Sequence, residues 1–170
     1  MLAMALLMIS AGAYAQEKNV IGIAPFKLGN GLKLKYETTL TEKITVGGIG
    51  TYFYGGWFTG LQVAPMGRYY FKNALQGFYG QGTAVVGFQK RNEKEWPDMD
   101  FNVVNNKSGL NLGVGMAIGY QKFIGKRFTF DLNAGFRPIL KYPDNWGKGT
   151  KESFDEKNNF DALLSIGYRF

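Results

Sequence analysis

The sequence contains no cysteine and no histidine among its 170 residues. Without cysteine, disulfides and thiolate metal sites are excluded. Without histidine, Ser-His-Asp and Cys-His catalysis are excluded, and the usual ligand of zinc and haem is missing. A lipid-directed enzyme would need a Ser-Lys or carboxylate mechanism, and the sequence offers no such constellation. We therefore expect a protein that is not an enzyme and that has no catalytic residues, no metal and no cofactor.

Long hydrophobic runs are also scarce, and beyond the N-terminus no stretch is apolar for long enough to cross a membrane as a helix. Residues 2–9 form a short apolar core, and Ala13-Tyr14-Ala15 has the form of a secretory cleavage site. No basic residue precedes this core, which departs from the usual signal, and a buried N-terminal helix is the alternative. We predict a signal peptide at residues 1–15 and one domain at residues 16–170.

The composition is basic and rich in glycine and aromatic residues. Lys and Arg number 20 against 13 Asp and Glu, which gives a formal net charge of +7. Such a charge suits nucleic acid, anionic lipid or lipopolysaccharide phosphate. The sequence has no run of basic residues, so we expect no nucleic-acid partner. The 24 glycines and the 16% of aromatic residues are typical of a β-barrel.

The segment from Phe160 to Phe170 alternates with a period of two residues. A period of two indicates a β-strand whose two faces meet different surroundings. The segment from Phe128 to Tyr142 alternates in the same way. The apolar positions of the last segment are Phe160, Ala162, Leu164, Ile166, Tyr168 and Phe170.

Six further segments complete a set of eight candidate strands. If both chain termini lie at one end of a barrel, the short connections also lie at that end, and the two longest connections lie at the other. An even number of strands with short turns at one end and long loops at the other is typical of single-chain transmembrane barrels. The predicted fold class is therefore all-β, an eight-stranded antiparallel up-and-down transmembrane β-barrel. The predicted strands cover residues 20–27, 32–37, 44–54, 61–71, 78–90, 110–121, 128–142 and 160–170.

Alternation alone does not distinguish a transmembrane barrel from a soluble, lipocalin-like barrel, because the two present opposite faces to their surroundings. An eight-stranded barrel has an interior only just wide enough for its own side chains. In the last three strands the polar face carries small residues such as Gly113 and Gly135, and the apolar face carries bulky ones such as Phe130 and Leu140. We predict that the small, polar face lines the interior and that the bulky face contacts lipid.

Ala13-Tyr14-Ala15, the last two strands and Gly167-Tyr168-Arg169-Phe170 together resemble the small eight-stranded outer-membrane barrels of Gram-negative bacteria, of the OmpA/OmpX type. The resemblance covers nearly all of the predicted mature chain. It implies an outer-membrane location, contact with outer-membrane lipid and lipopolysaccharide, and a closed or nearly closed lumen. It also implies an assembly signal, formed by Tyr168 and Phe170, that the barrel-assembly machinery reads.

Charged side chains on the predicted inward face must pair, since a charge that faces lipid at mid-depth costs about 2–4 kcal/mol. We expect these side chains to form a network that plugs the lumen. The alternative interpretation of the same charges is a selective pore or a proton path. The predicted luminal polar network consists of Lys33, Lys35, Glu37, Arg68, Asp131, Arg137, Asp161 and Arg169, and Lys141 is also predicted to face inward.

The long connections at residues 91–107 and 143–159 carry eight carboxylates without the spacing of a calcium loop. We interpret them as solvated loops that contact an unknown surface partner. The leading hypothesis is a non-enzymatic, integral outer-membrane barrel with a structural or surface-interaction role. The alternatives are a narrow outer-membrane channel that uses its charged lumen as a filter, and a secreted, soluble, lipocalin-like binding barrel.

Overall fold

The computed structural model describes residues 18–24, 31–54, 58–91, 108–142 and 160–170, apart from the side chains of residues 58, 91 and 161. The predicted signal peptide at residues 1–15 and most of the two long predicted loops lie outside the described residues. Within the described residues, no helix is long and apolar enough to cross a membrane.

Nine strand segments form one antiparallel sheet in the described part of the chain. The strand segments coincide with stretches of the sequence that are rich in β-branched or aromatic residues or that alternate between apolar and polar residues, as strand propensity requires. The segments are β1 (Asn19–Ile23), β2 (Gly31–Thr39), β3 (Ile44–Phe53), β4 (Phe58–Tyr70), β5 (Gly77–Arg91), β6 (Ser108–Ile124), β7 (Phe128–Phe136), β8 (Ile139–Lys141) and β9 (Phe160–Arg169).

The sheet closes on itself because β1 pairs with β9, with Val20 opposite Arg169 and Ile23 opposite Ile166. Segments β7 and β8 both pair with β6 and form two parts of a single barrel strand. The prediction of a closed, eight-stranded antiparallel β-barrel is therefore confirmed. Closure between β1 and β9 pairs the two strands that would otherwise form the edges of the sheet, and unpaired edges are the main aggregation hazard of a β-sheet.

The prediction of an unbroken strand from residue 128 to residue 142 is wrong at one point. The strand is interrupted at residues 137–138, and the register shifts opposite Leu112 and Gly113. Pro138 has no N–H to donate to the ladder, while its carbonyl oxygen accepts a hydrogen bond from the Val114 N–H at 3.2 Å. Beyond this irregularity Lys141 is exposed rather than directed inward, which corrects its predicted facing.

The antiparallel order places both ends of the described chain and three short turns at one end of the barrel, which we call the turn end. These turns, at residues 40–43, 71–76 and 125–127, connect β2 to β3, β4 to β5 and β6 to β7. Two of them contact each other, since the Ala74 N–H donates to the Glu42 carbonyl at 2.7 Å. The other ends of the strands lie at the opposite end of the barrel, which we call the loop end.

The inner face of the sheet is polar and the outer face is apolar, which is the reverse of the arrangement in a water-soluble barrel. Asp131 is 0% exposed, whereas its neighbours in sequence and space on the outer wall, Leu132 and Ile166, are 50% and 47% exposed. The apolar part of the interior is a small cluster of mostly modest side chains. This cluster comprises Ala24, Ile49, Ala64, Met66, Val85 and Leu163.

Candidate functional site

The interior between the middle of the barrel and the turn end is filled by charged side chains from three strands. Lys35 and Glu37 lie two residues apart on β2, so they share the inward face. Arg68 comes from β4 and Asp131 from β7, and β7 lies three strands away from both β2 and β4 around the barrel. The side chains of all four residues are buried.

These four side chains form a closed cycle of alternating charge, which we call the ionic ring. Lys35 Nζ lies 3.3 Å from Glu37 Oε2 and 2.6 Å from Asp131 Oδ2. Arg68 Nη1 lies 2.9 Å from Glu37 Oε2, and Arg68 Nη2 lies 3.0 Å from Asp131 Oδ2. The ring contains two cations and two anions, so its formal charge is zero. It connects opposite walls of the barrel directly.

Neutral donors satisfy the second oxygen of each carboxylate in the ring. Glu37 Oε1 accepts hydrogen bonds from the hydroxyls of Thr45 at 2.6 Å and Tyr70 at 2.8 Å. Asp131 Oδ1 accepts a hydrogen bond from the Tyr79 hydroxyl at 2.5 Å. Buried charges are tolerated only when their remaining hydrogen-bonding capacity is met in this way.

Arg68 is the most extensively bonded member of the ring. Its Nε donates to Gln81 Oε1 at 2.8 Å, and its Nη1 also donates to Gln121 Oε1 at 3.0 Å. The guanidinium carbon lies 4.2 Å from the centroid of the Tyr79 ring, in a cation–π contact. Arg68 is therefore held on three sides, and its removal would leave Lys35 as the one cation of the ring beside two carboxylates.

The Tyr79 ring fits in this interior because the facing position on β6 is a glycine. Gly119 pairs with Tyr79, and a Cβ on Gly119 would lie 2.4 Å from Cζ and from the hydroxyl oxygen of Tyr79. The Tyr79 hydroxyl also accepts a hydrogen bond from Asn133 Nδ2 at 3.1 Å. A glycine on one strand thus makes room for the aromatic ring that supports the ionic ring.

The ionic ring contains four of the eight residues of the predicted luminal network: Lys35, Glu37, Arg68 and Asp131. Lys33 and Arg137 are also buried but lie closer to the loop end. Arg169 is half-buried near the turn end, with its guanidinium carbon 4.3 Å from the centroid of the Phe123 ring. The side chain of Asp161 lies outside the description.

The uncharged side chains that bond to the ionic ring were not predicted from the sequence. The predicted luminal network includes neither Tyr70 nor Tyr79. The signal that identifies them is position, because both occupy inward sites at the turn-end halves of their strands. The neutral residues that bond to the ring or to each other around it are Thr45, Tyr70, Tyr79, Gln81, Gln121 and Asn133.

A small cavity lies on the loop-end side of the ionic ring. Its volume is ≈ 20 Å³, which is room for about one water molecule. Gln81, which bonds to Arg68 of the ionic ring, lines it together with Asn133 and Arg137. Apolar side chains such as Ile49 line the rest of it, so its surface is mixed in polarity.

The two residues of the predicted assembly signal lie at the turn end. The Tyr168 ring packs against Phe128 with their centroids 5.8 Å apart, and its hydroxyl accepts a hydrogen bond from Arg127 Nη1 at 2.7 Å. The Phe170 N–H donates to the Asn19 carbonyl at 3.0 Å, which continues the pairing that closes the barrel.

The fold and its polar interior define a closed, small antiparallel β-barrel, and a similar barrel is found among solved structures. The N-terminal β-barrel domain of Pseudomonas aeruginosa OprF matches with a TM-score of 0.52 and 14% sequence identity, over 91% of this chain and 98% of that chain. At this identity the likeness establishes the fold. The chain belongs to the family described as "Protein of unknown function (DUF3575)", whose profile matches residues 1–168. A comparison with curated protein sequences gives no match.

Proposed function

We propose that this protein is an integral outer-membrane β-barrel of Gram-negative bacteria, with a non-enzymatic, structural or surface-interaction role and a lumen plugged by the ionic ring. The observation that carries the proposal is the inverted polarity of the wall: large apolar side chains face outward while charges are sealed inside. A soluble lipocalin-like barrel would have the opposite arrangement, because water would surround the outer wall.

The dimensions of the apolar wall support a membrane environment. Six successive outward positions of β6, from Leu110 to Tyr120, are apolar. Lys122 follows them toward the turn end, and Ser108, which pairs with Lys90 of β5, precedes them toward the loop end. The stretch from Ser108 to Lys122 is about 46 Å long at about 3.3 Å per residue. At a strand tilt of about 40° it rises about 35 Å, enough to cross a hydrocarbon core of about 30 Å.

The ionic ring supports a structural role for the lumen. It joins three strands that are not neighbours. Removal of one of its four side chains would open the bore and leave an excess of one sign of charge inside it. An electroneutral plug gives an eight-stranded barrel the packed interior that its narrow radius requires. We propose that the wild-type barrel conducts ions poorly for this reason.

The second candidate function, a narrow channel, is favoured by the buried Lys33 and Arg137 and by the small cavity on the loop-end side of the ring. Recording of single channels in planar bilayers separates the two. A plugged lumen predicts little conductance for the wild type and a large increase for Arg68→Ala, with no increase for the exposed control Lys72→Ala. A large, stable conductance of the wild type favours the channel.

The proposed partners follow from the location. Outer-membrane lipid and lipopolysaccharide surround the wall, and the connections at residues 91–107 and 143–159 reach a surface partner. The barrel-assembly machinery reads β9 through Tyr168 and Phe170. A variant with alanine at both positions should accumulate unassembled chain, while the same change at Phe160, on the loop-end side of β9, should not.

Fractionation of cells combined with a heat-modifiability gel tests the proposed location and the barrel together. We expect the chain in the outer-membrane fraction, with unheated protein migrating faster than heated protein. A chain that stays monomeric in buffer without detergent would contradict the proposal and favour the soluble barrel.

A further inference from the structure

The turn end of the barrel carries a concentration of positive charge that the proposed role does not use. Six exposed cationic side chains lie at this end, and among the described residues there only one carboxylate, that of Glu42, is exposed beside them. The six cations are Lys18, Lys43, Lys72, Lys122, Lys126 and Arg127. The segments 25–30, 55–57, 92–107 and 143–159, which connect the other strand ends, carry six lysines against eight carboxylates in the sequence, and the exposed Lys90 and Lys141 bring the lysines there to eight. The excess of positive charge is therefore polarised along the barrel axis.

One of these cations, Lys122, lies on the outer wall, within β6 rather than in a turn. Lys122 follows Tyr120 in the outward row of β6 and pairs with Phe130 of β7. An ammonium group at the edge of an apolar wall extends along that wall to reach polar surroundings. Lys122 is thus directed toward the plane where the apolar surface ends.

Arg127 is held against the same edge by an aromatic contact. Its Nη1 donates to the Tyr168 hydroxyl, its guanidinium carbon lies 5.9 Å from the centroid of that ring, and Tyr168 packs edge-on against Phe128. This arrangement fixes the guanidinium at the rim and leaves its other N–H groups exposed. A planar guanidinium with free N–H groups is suited to bidentate binding of a phosphate.

We propose that the β6–β7 hairpin and the adjoining turns bind the phosphate groups of anionic phospholipids in the leaflet at the turn end. The inference rests on the proposed membrane location. In barrels of the proposed type the short turns lie on the periplasmic side, so the relevant leaflet is the one built of phospholipid. We infer the partner from charge complementarity. The outer wall is apolar and its border at the turn end is cationic, which matches a lipid with an apolar acyl chain and an anionic headgroup.

The test measures which lipids remain bound to the folded barrel. The protein is reconstituted in nanodiscs of phosphatidylcholine with a minority of phosphatidylglycerol, and the lipids retained on release are counted by native mass spectrometry. The test variant is Lys122→Gln/Arg127→Gln. The matched control is Lys90→Gln/Lys141→Gln, which removes two exposed lysines near the loop end.

We expect the wild type and the control to retain phosphatidylglycerol in preference to phosphatidylcholine. Because each basic residue near an anionic surface changes binding by about fivefold, the test variant should lose about 25-fold of this preference. Arg127→Lys should retain part of the preference, since it keeps the charge and loses the planar fork.

Two results overturn the inference while leaving the barrel intact: a wild type without lipid preference, and a control that loses as much preference as the test variant. A chain that does not enter the nanodisc, and shows no heat-modifiable form, contradicts the proposed membrane location and this inference with it. The gel is therefore run on every variant before the lipids are counted.

Discussion

Glu37 and Arg68 meet at 2.9 Å inside the barrel although a whole strand, β3, separates the strands that carry them. Their contact passes over the inner face of β3 rather than following the hydrogen-bonded ladder of the sheet. The same two residues are linked through Lys35 and Asp131 on their other sides, so each charge has two partners of opposite sign. We therefore expect the free energy of unfolding to depend on the four charges together rather than on each one separately.

The first prediction concerns the loss of one charge from the ring. Glu37→Gln leaves two buried cations with a single carboxylate, and breaking a buried pair by removal of one partner typically costs about 3–5 kcal/mol. We expect a loss of this size in the free energy of unfolding, measured by urea titration of the barrel in lipid vesicles. The exposed control Glu42→Gln should change it by less than about 0.5 kcal/mol.

The second prediction concerns coupling within the ring. Residues of one ion-pair network show interaction energies of about 0.5–3 kcal/mol. The double variant Glu37→Gln/Arg68→Gln removes one anion and one cation and restores electroneutrality. We expect it to be less destabilised than the sum of its two single variants, in the same urea titration. Additive losses would show that the four side chains act independently.

The third prediction concerns the space that Gly119 leaves for Tyr79. A Cβ at position 119 would overlap the Tyr79 ring, so Gly119→Ala should displace that ring and its hydrogen bond to Asp131. We expect a destabilisation of about 1–3 kcal/mol, the usual cost of overpacking. The control is Gly80→Ala, on the outer wall, because a Cβ there meets nothing within 4 Å. Equal effects of the two substitutions would contradict this account.

The fourth prediction concerns the depth of the outer wall. Met116 lies near the middle of the outward row of β6, whereas Ile124 is the last residue of that strand at the turn end. A lysine that faces lipid costs about 2–4 kcal/mol at the midplane and about 0–1 kcal/mol near the interface. Met116→Lys should therefore destabilise the folded barrel in a bilayer far more than Ile124→Lys. Similar losses of stability at both positions would indicate that the outer wall is exposed to water rather than to lipid.

The facing of the strands was predictable because alternation fixes which side chains share a surface. Asp131 and Leu132 illustrate this, since consecutive residues of one strand must point to opposite faces. Only the size argument was needed to choose the inner face. The break at Pro138 was not anticipated, because the apolar alternation continues through this residue. The alternation does not show that Pro138 lacks the backbone N–H that a strand residue donates. The exposure of Lys141 follows from the register shift just beyond Pro138, which pairs Lys141 with Leu112 of the outward row of β6.

The pairing inside the ring was not predictable from the sequence. Lys35 and Asp131 are 96 residues apart, and their contact depends on the stagger of strands around the closed barrel. Alternation gives the face of a residue but not its height in the lumen. Tyr70 and Tyr79 were missed for a different reason: the network was predicted from charged side chains, and these two uncharged residues point inward and donate hydrogen bonds through their hydroxyls.

The most direct test of the central claim, that the bulky wall faces lipid, uses the absence of cysteine from the chain. Single cysteines replace Met116 and Ile118, which are 79% and 76% exposed on the outer wall, and Lys126 in a turn. Each carries a nitroxide, and collision rates with oxygen and with a water-soluble nickel chelate are measured in bilayers. The account predicts high oxygen and low nickel collision rates at positions 116 and 118, and the reverse at position 126. Free access of the nickel chelate to positions 116 and 118 in the folded protein would contradict it.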